Sequence, residues 1–203
     1  MNRATSVATL LLVAGLGLGG TYALQHLSTA RIASEQRQID SRTLLDMLPP
    51  ASYDNQPLDQ PLALDKVSLS TSTLLAGYRA THAGQTSAVL LRSQTTGYTA
   101  SIELLIAIDA NGKLLGVKTL KQSETPGLGG RIAEWPNSWL QSFSGKSRND
   151  PVDSGWRLKK DQGQFDQIAG ATTTSRAVIN AIHDALRYFD EHRQTLVGSV
   201  ANE

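Results

Sequence analysis

The sequence has no cysteine and no excess of charge of either sign. Its 203 residues include 19 Lys and Arg against 18 Asp and Glu, so the formal net charge is +1. Without thiolates, the chain has no ligands of its own for an iron–sulfur cluster and cannot form a disulfide. Without a basic tract, it has little electrostatic basis for binding nucleic acid. The 4 histidines are scattered and show no ligand spacing, so we expect no metal site.

Near its start the chain has a long stretch without charged residues. From Ala4 to Ala30 there is no Asp, Glu, Lys or Arg, and residues 7–24 are rich in Leu, Val, Ala and Gly. This is about the length that a helix needs to cross a bilayer, and Arg3 in front of it predicts a cytoplasmic N-terminus. The sequence favours an uncleaved, single-pass anchor in residues 1–30, with the rest of the chain on the opposite side. A cleaved signal peptide is the alternative interpretation.

The remainder has the size and the 40% apolar content of one ordinary domain. We expect a helical and linker segment at 31–60, the domain at 61–195 and a tail at 196–203. Strand-like stretches come before the last helix pattern, with Asn111-Gly112 as a hairpin turn. Strands separated from helices predict an α+β fold with an antiparallel sheet flanked by helices. The predicted strands are 67–75, 87–92, 99–109, 114–121 and a piece at 156–160.

The most informative segment leads into the last amphipathic helix pattern. A hydroxyl cluster there predicts a helix start with Thr174 or Ser175 as the N-cap. The free N–H groups of a helix start attract phosphate, and Gly170 and Ala171 allow a close approach. The segment therefore predicts a phosphate cradle with the Thr172 hydroxyl at its mouth, although many Ser/Thr-rich helix starts only cap their helix. The apolar helix face consists of Ala177, Val178, Ala181, Ile182, Ala185, Leu186 and Phe189.

Three short motifs resemble a known family. The run DQIAGATTT at 166–174 resembles the flavinylation motif of the FMN-binding domain family, Asp-x-x-(Ser/Thr)-Gly-Ala-Thr-x-(Ser/Thr). SETPGLG at 123–129 is similar to the Glu-Thr-Pro-Gly-Leu-Gly loop of the same family, and GYTA at 97–100 leads into a strand as it does there. With the membrane segment in front, this order resembles the G subunits of Rnf/Rsx ion-translocating electron-transport complexes. The resemblance extends from the N-terminal segment to about Phe189.

The resemblance implies that FMN is bonded through its phosphate to Thr172, the Thr that follows Gly-Ala. Asp166 would belong to the signal read by a periplasmic flavin transferase that uses FAD as donor. The family usually has Ser or Thr where this chain has Ala169, which implies less efficient flavinylation. The implied cofactor contacts are Tyr98, Glu124, Thr125, Gly127, Leu128, Gly170, Ala171 and Thr174.

The implied function is electron relay within a larger complex and not stand-alone catalysis, so no catalytic residue is assigned. The expected location is the bacterial inner membrane, with the soluble domain in the periplasm and the other subunits of the complex as partners. The alternatives are the C subunit of a sodium-pumping NADH:quinone reductase and a membrane-anchored scaffold protein without flavin. Thr172 as a hydrolytic nucleophile is a further alternative, and it needs a base within hydrogen-bond reach.

Several side chains have more than one interpretation. Tyr98 fits either an ordinary strand aromatic or a residue against the flavin ring. Lys159 and Lys160 are interpreted as a solvated pair more readily than as phosphate partners. Trp135 and Trp139, four positions apart, predict one face of a short helix.

Overall fold

The structure, a computed structural model, describes residues 45–59 and 61–198. The contacts divide the chain into two units, Met1–Thr43 and Leu44–Glu203, and every described residue belongs to the second. The anchor predicted in residues 1–30 and part of the predicted segment 31–60 thus lie outside the described residues. Within 45–59 and 61–198, no helix is both long enough and apolar enough to span a bilayer.

Five antiparallel strands form one sheet in which the spatial order follows the chain order. The predicted antiparallel sheet is therefore confirmed. The fourth strand, Ser101–Asp109, is buried at 7 consecutive positions, because side chains cover both faces of the sheet there. The strands are β1 Val67–Ser68, β2 Ser72–His82, β3 Gln85–Thr96, β4 Ser101–Asp109 and β5 Leu114–Lys121.

The prediction of one continuous strand at 67–75 is wrong, because a turn divides this stretch into β1 and the start of β2. The buried carboxylate of Asp184 accepts hydrogen bonds from the Thr71 backbone N–H (2.7 Å) and the Thr71 hydroxyl (2.8 Å). It also accepts one from the Ser72 hydroxyl at 3.1 Å. A side chain more than 100 positions away thus stabilises this turn, and local sequence patterning has no sign of it.

The hairpin predicted at Asn111-Gly112 is present between β4 and β5. The Asp109 carboxylate accepts hydrogen bonds from the backbone N–H groups of Asn111 and Lys113, both at 2.8 Å. Gly112 has φ +88°, a conformation that favours glycine. Four residues, 110–113, separate the two strands, so the loop is longer than a two-residue hairpin.

One long helix, α2 (Thr172–Glu191), packs on one face of the sheet. The helices α1 (Ser138–Gln141) and α3 (Arg193–Val197) are short. The core between α2 and the sheet is apolar, and burial of such side chains is the main favourable term in folding. Its fully buried members include Leu74, Val89, Leu91, Ile102, Leu104, Ile106, Ile108, Val178, Ile179, Ile182, Leu186 and Phe189.

Residues of the segment 45–59 contribute to the cover of the other face of the sheet. Met47 and Leu48 pack there as part of a second buried cluster with five sheet residues. They follow closely after Leu45, a helical residue with which the described part of the chain begins. The sheet residues of this cluster are Ala80, Ala88, Leu90, Leu105 and Ala107.

Two local predictions between β5 and α2 are wrong. Trp135 and Trp139 do not share a helix face, because α1 begins only at Ser138, with Asn137 as its N-cap. The Trp135 ring instead lies under the Lys118 ammonium, which is 4.5 Å from the ring centroid.

The stretch 156–160 is not a strand. Trp156 and Leu158 are buried and Arg157 is exposed, which imitates the alternation of a strand. The segment pairs only at Leu158 with Phe165, and a 3₁₀ turn at Lys159–Asp161 follows at once.

Candidate functional site

The N-terminus of α2 opens onto a cleft of about 390 Å³. Three separate segments line it: the turn between β3 and β4, the loop after β5, and the residues at the start of α2. The cleft brings together eight of the residues that the resemblance implied, and it adds Gly129, Gln167 and Thr173. The eight are Tyr98, Glu124, Thr125, Leu128, Gly170, Ala171, Thr172 and Thr174.

Two implied residues do not line the cleft. Gly127 has φ +76° and lies in the loop after β5, where a Cβ atom would meet nothing within 4 Å. The exposed Asp166 side chain accepts a hydrogen bond from Lys159 Nζ at 2.7 Å. Its backbone carbonyl accepts one from the Trp139 indole N–H, also at 2.7 Å. Asp166 therefore bonds two residues, Lys159 and Trp139, that do not line the cleft.

Thr172 is the first residue of α2 and is half-buried. Its hydroxyl accepts a hydrogen bond from Lys160 Nζ and donates one to Gln167 Oε1, each at 3.0 Å. The prediction of Thr174 or Ser175 as N-cap is wrong, because the cap position is Ala171 and no side chain caps it. The helix thus begins at Thr172 itself, where the N–H groups of the first turn have no partner within the helix.

The buried hydroxyls of the first turn make other contacts instead of capping. Ser175 Oγ accepts a hydrogen bond from the Ile168 N–H at 3.0 Å and donates one to the Ala171 carbonyl at 2.9 Å. Thr174 donates its hydroxyl hydrogen bond to the Glu124 carboxylate. These bonds hold the segment before α2 and the loop after β5 against the same helix turn.

Glu124 is buried and connects the three segments through hydrogen bonds. Besides Thr174, its carboxylate accepts hydrogen bonds from the backbone N–H groups of Tyr98 at 3.2 Å and Thr99 at 3.0 Å. Burial raises the pKa of Glu124, but these hydrogen bonds from Thr174, Thr99 and Tyr98, together with one from the Ala100 backbone, outweigh it and lower the pKa. The Glu124 carboxylate therefore organises the cleft as a buried, negatively charged acceptor.

Glycines permit close contacts around this carboxylate. A Cβ atom at Gly129 would lie 2.6 Å from Thr174 Oγ1 and 2.9 Å from Glu124 Oε2. At Gly170, which has φ +74°, a Cβ atom would lie 2.7 Å from Leu128 Cδ2. A larger residue at Gly129 would clash with the buried Thr174 and Glu124 side chains, and one at Gly170 would require the Leu128 side chain to move.

The rim of the cleft exposes apolar surface. Tyr98 is 76% exposed and lies in a bend between β3 and β4, so it is not a residue of either strand. Leu128 is 42% exposed and packs beside Gly170. A flat aromatic ring is the kind of group that such side chains can cover, because pockets of this kind join apolar walls to a few polar groups.

Sequence reasoning missed two polar partners of Thr172. Lys160 is not a member of a purely solvated pair, since its ammonium contacts the Thr172 hydroxyl. Gln167 lies inside the motif, and the resemblance implied no role for it. Its side-chain oxygen accepts a hydrogen bond from the Thr172 hydroxyl. No local signal marks either contact. Among the described side chains that bond Thr172, an ammonium and an amide supply no general base, which argues against the hydrolytic nucleophile.

The sequence is also similar to those of known proteins. Residues 97–187 match the model of the FMN-binding domain family. The G subunit of the ion-translocating oxidoreductase complex of Pseudomonas aeruginosa (strain UCBPP-PA14) is 48% identical over 189 residues, which cover 92% of this chain and 88% of that protein. The G subunit of the Shewanella loihica complex is 38% identical, and the match covers 85% of this chain and 82% of that protein.

The similar solved structures include two crystal structures. The crystal structure of Shewanella oneidensis NqrC is 22% identical with a TM-score of 0.48, covering 76% of each chain. That of the C subunit of the Na⁺-translocating NADH-quinone reductase from Parabacteroides distasonis is 22% identical with a TM-score of 0.46, covering 60% of this chain and 63% of that one. By its sequence identity to the curated relatives, the chain belongs to the family of G subunits of ion-translocating oxidoreductase complexes.

Proposed function

We propose that the chain is a flavoprotein subunit that carries FMN covalently through a phosphoester to Thr172 and relays electrons within an ion-translocating complex. One observation carries this proposal. The Thr172 hydroxyl lies at the first residue of a 20-residue helix, on a cleft, and 3.0 Å from the Lys160 ammonium. A helix start and a cation together favour a phosphate at this oxygen.

The residues of the cleft fit FMN in size and chemistry. Its volume of about 390 Å³ lies within the range of roughly 300–1,000 Å³ that is usual for small-ligand sites. Lys160 and the first turn of α2 would hold the phosphate, and Tyr98 and Leu128 would cover the ring. Gly170 would allow the backbone to approach the phosphate closely, since it has no side chain.

The protein's own contribution is binding and orientation. Bound FMN supplies the electron-accepting and electron-donating chemistry, which the side chains of this chain do not. Glu124 holds the turn at Tyr98 and the loop at Leu128 against the start of α2, so the walls of the cleft keep their spacing. A covalent bond at Thr172 would prevent loss of the cofactor and keep its ring within reach of redox partners.

Family membership supports a place in a membrane complex with other subunits as partners. We propose that residues 1–30 anchor the chain in the bacterial inner membrane and that the domain faces the periplasm, where a flavin transferase would use FAD to modify Thr172. Whole-complex turnover would link ferredoxin and NAD redox chemistry to sodium or proton movement. The high identity to G subunits favours this assignment over the C subunit of a sodium-pumping reductase.

The scaffold alternative depends on the departure at Ala169. This residue is exposed and does not line the cleft. Its small side chain therefore leaves every cleft contact in place, and nothing in the site favours a protein that keeps the fold but lacks the flavin.

The test is the intact mass of the full chain made in cells with and without a periplasmic flavin transferase. We expect a gain of one FMN less one water, dependent on the transferase and mapped to the peptide containing Thr172. Thr172→Ala should remove the gain. Thr195→Ala is the matched control, because exposed Thr195 follows α2 at its far end, about 30 Å away along a 20-residue helix.

Two results would contradict the proposal. An unmodified wild-type chain in the presence of active transferase would leave a scaffold or a noncovalent flavin site. Full modification of Thr172→Ala would move the acceptor to Thr173 or Thr174.

A further inference from the structure

The Lys159–Asp161 turn lies directly beside the Thr172 hydroxyl. Lys160 Nζ donates to Thr172 Oγ1 at 3.0 Å, while that hydroxyl donates its own proton to Gln167 Oε1. The oxygen keeps one lone pair unused by these two contacts, since a hydroxyl accepts twice. Lys160 and Gln167 thus hold the orientation of the acceptor oxygen before any reaction takes place.

Two ion pairs connect this turn to the motif segment and to α2. On one side, Lys159 Nζ lies 2.7 Å from Asp166 Oδ2, which belongs to the motif segment. On the other side, Arg176 of α2 makes two hydrogen bonds to the Asp161 carboxylate, at 2.7 and 2.9 Å. Such bidentate pairs define geometry more closely than single contacts do. The residue between the two pairs is Lys160.

We infer that Lys160 is a positioning residue for phosphoryl transfer to Thr172, and that the Lys159–Asp166 ion pair acts on the transfer by aiming Lys160. This inference rests on the proposed function. It gives Asp166 an indirect role, through the turn, where the resemblance alone implied a residue read by the transferase.

The transfer step defines what Lys160 would do. Thr172 Oγ1 forms a bond to the phosphorus of the FMN half of FAD, and the bond from that phosphorus to the oxygen bridging the two phosphates breaks. AMP leaves with the electron pair of the broken bond. The hydroxyl proton passes to a base of the transferase, because an ammonium and an amide cannot take it. Lys160 lies beside the phosphoryl group, whose remaining negative charge it offsets in the transition state and in the product.

The experiment measures the rate of covalent labelling of the full chain by purified flavin transferase and FAD, followed by intact mass. Lys160→Met should lower kcat by about tenfold, the effect expected for losing one charge-assisted hydrogen bond. KM should change little, since Lys160 acts on the bound acceptor. Lys160→Arg should retain most of the rate. Lys113→Met is the matched control, an exposed lysine at the opposite end of β5 from the cleft.

The ion pair is tested by exchanging its charges. Lys159→Asp and Asp166→Lys should each lower kcat, and the double variant should recover it to within about twofold of wild type, because the two residues are coupled. All four side chains of the two ion pairs, and Lys160, are at the surface or half-buried. Unchanged thermal unfolding of each variant would exclude loss of the fold as the cause.

Each of the other outcomes would overturn one part of the inference or the proposed function. Equal labelling of wild type and Lys160→Met would overturn the role of Lys160 and leave the proposed function intact. Two results would show that the transferase reads Asp166 directly. One is a double variant whose kcat is no higher than that of the single variants. The other is an Asp166→Lys variant in which only KM changes. A wild-type chain that takes no label would overturn the proposed function, and this inference with it.

Discussion

Thr174 donates a hydrogen bond to Glu124, a residue 50 positions earlier in the chain. Both side chains are buried, and the same carboxylate accepts from the backbone at Tyr98 and Thr99. Three segments that line the cleft therefore meet at one carboxylate. The shape of the site thus depends on this group.

Glu124→Gln should destabilise the domain by about 1–3 kcal/mol, because a buried acceptor of several hydrogen bonds loses its charge. The free energy of unfolding in urea measures this loss. The matched control is Glu134→Gln, whose side chain is largely exposed, and it should change stability by less than about 0.5 kcal/mol. Equal stability of wild type and Glu124→Gln would contradict the role given to the carboxylate.

The contribution of Glu124 should also depend on pH in a definite direction. The pKa of Glu124 in the folded state lies below its ordinary value of 4.5. The charged form therefore stabilises the fold fully above 4.5, and the contribution is lost as pH falls through the lower folded-state pKa. The stability difference between wild type and Glu124→Gln should be constant near neutral pH and shrink in acid. A difference that grew in acid would show that the pKa is raised.

Gly170→Ala should destabilise the start of α2 for two reasons. The residue has φ +74°, and a Cβ atom would lie 2.7 Å from Leu128 Cδ2. Gly84→Ala is the matched control, since Gly84 has φ +75° with nothing within 4 Å of a Cβ atom. Each variant should lose about 1–3 kcal/mol through the backbone conformation, and Gly170→Ala should lose more than Gly84→Ala in urea unfolding. Equal losses would show that Leu128 moves away without cost.

Ser175→Ala should leave the Ile168 N–H without its partner in a buried position. An unpaired buried donor costs about 1–3 kcal/mol, which urea unfolding should detect. Ser138→Ala, at an exposed serine on α1, is the control and should be nearly neutral. Faster hydrogen exchange across 166–171 in Ser175→Ala would locate the loss, whereas unchanged exchange there would assign the stability of this segment to other contacts.

Ala169→Ser should leave both folding and the initial rate of flavin labelling no lower than in wild type. The residue is exposed on the turn before α2 and does not line the cleft, so an added hydroxyl does not obstruct the cleft. Labelling by the transferase with FAD, followed by mass, measures the effect. A sharp fall in rate would show that the transferase requires the alanine itself.

The mature N-terminus should retain residues 1–30. Their uncharged stretch is long for a signal peptide and of the length that spans a bilayer. The intact mass of the chain recovered from membranes decides between an anchor and a cleaved signal. A mass that corresponds to a chain beginning between residues 24 and 31, with the protein in the soluble fraction, would contradict the anchor.

Local patterning was reliable where one element buries one continuous face. The bounds predicted for β5 agree with the structure, and the periodic apolar face of α2 packs on the sheet as expected. It failed where burial alternates for another reason. Trp156 and Leu158 enter the core from an irregular segment, so their alternation resembled that of a strand.

The sequence by itself determined the family, the strands with strong periodicity and the candidacy of Thr172, because these depend on residues close together in the chain. Only the tertiary structure decided what surrounds that hydroxyl. Lys160 is 12 positions from Thr172, and Glu124 is 50 positions from Thr174. Such residues are distant in the sequence, and they come into contact because α2 packs against the sheet. Neither composition nor periodicity contains that information.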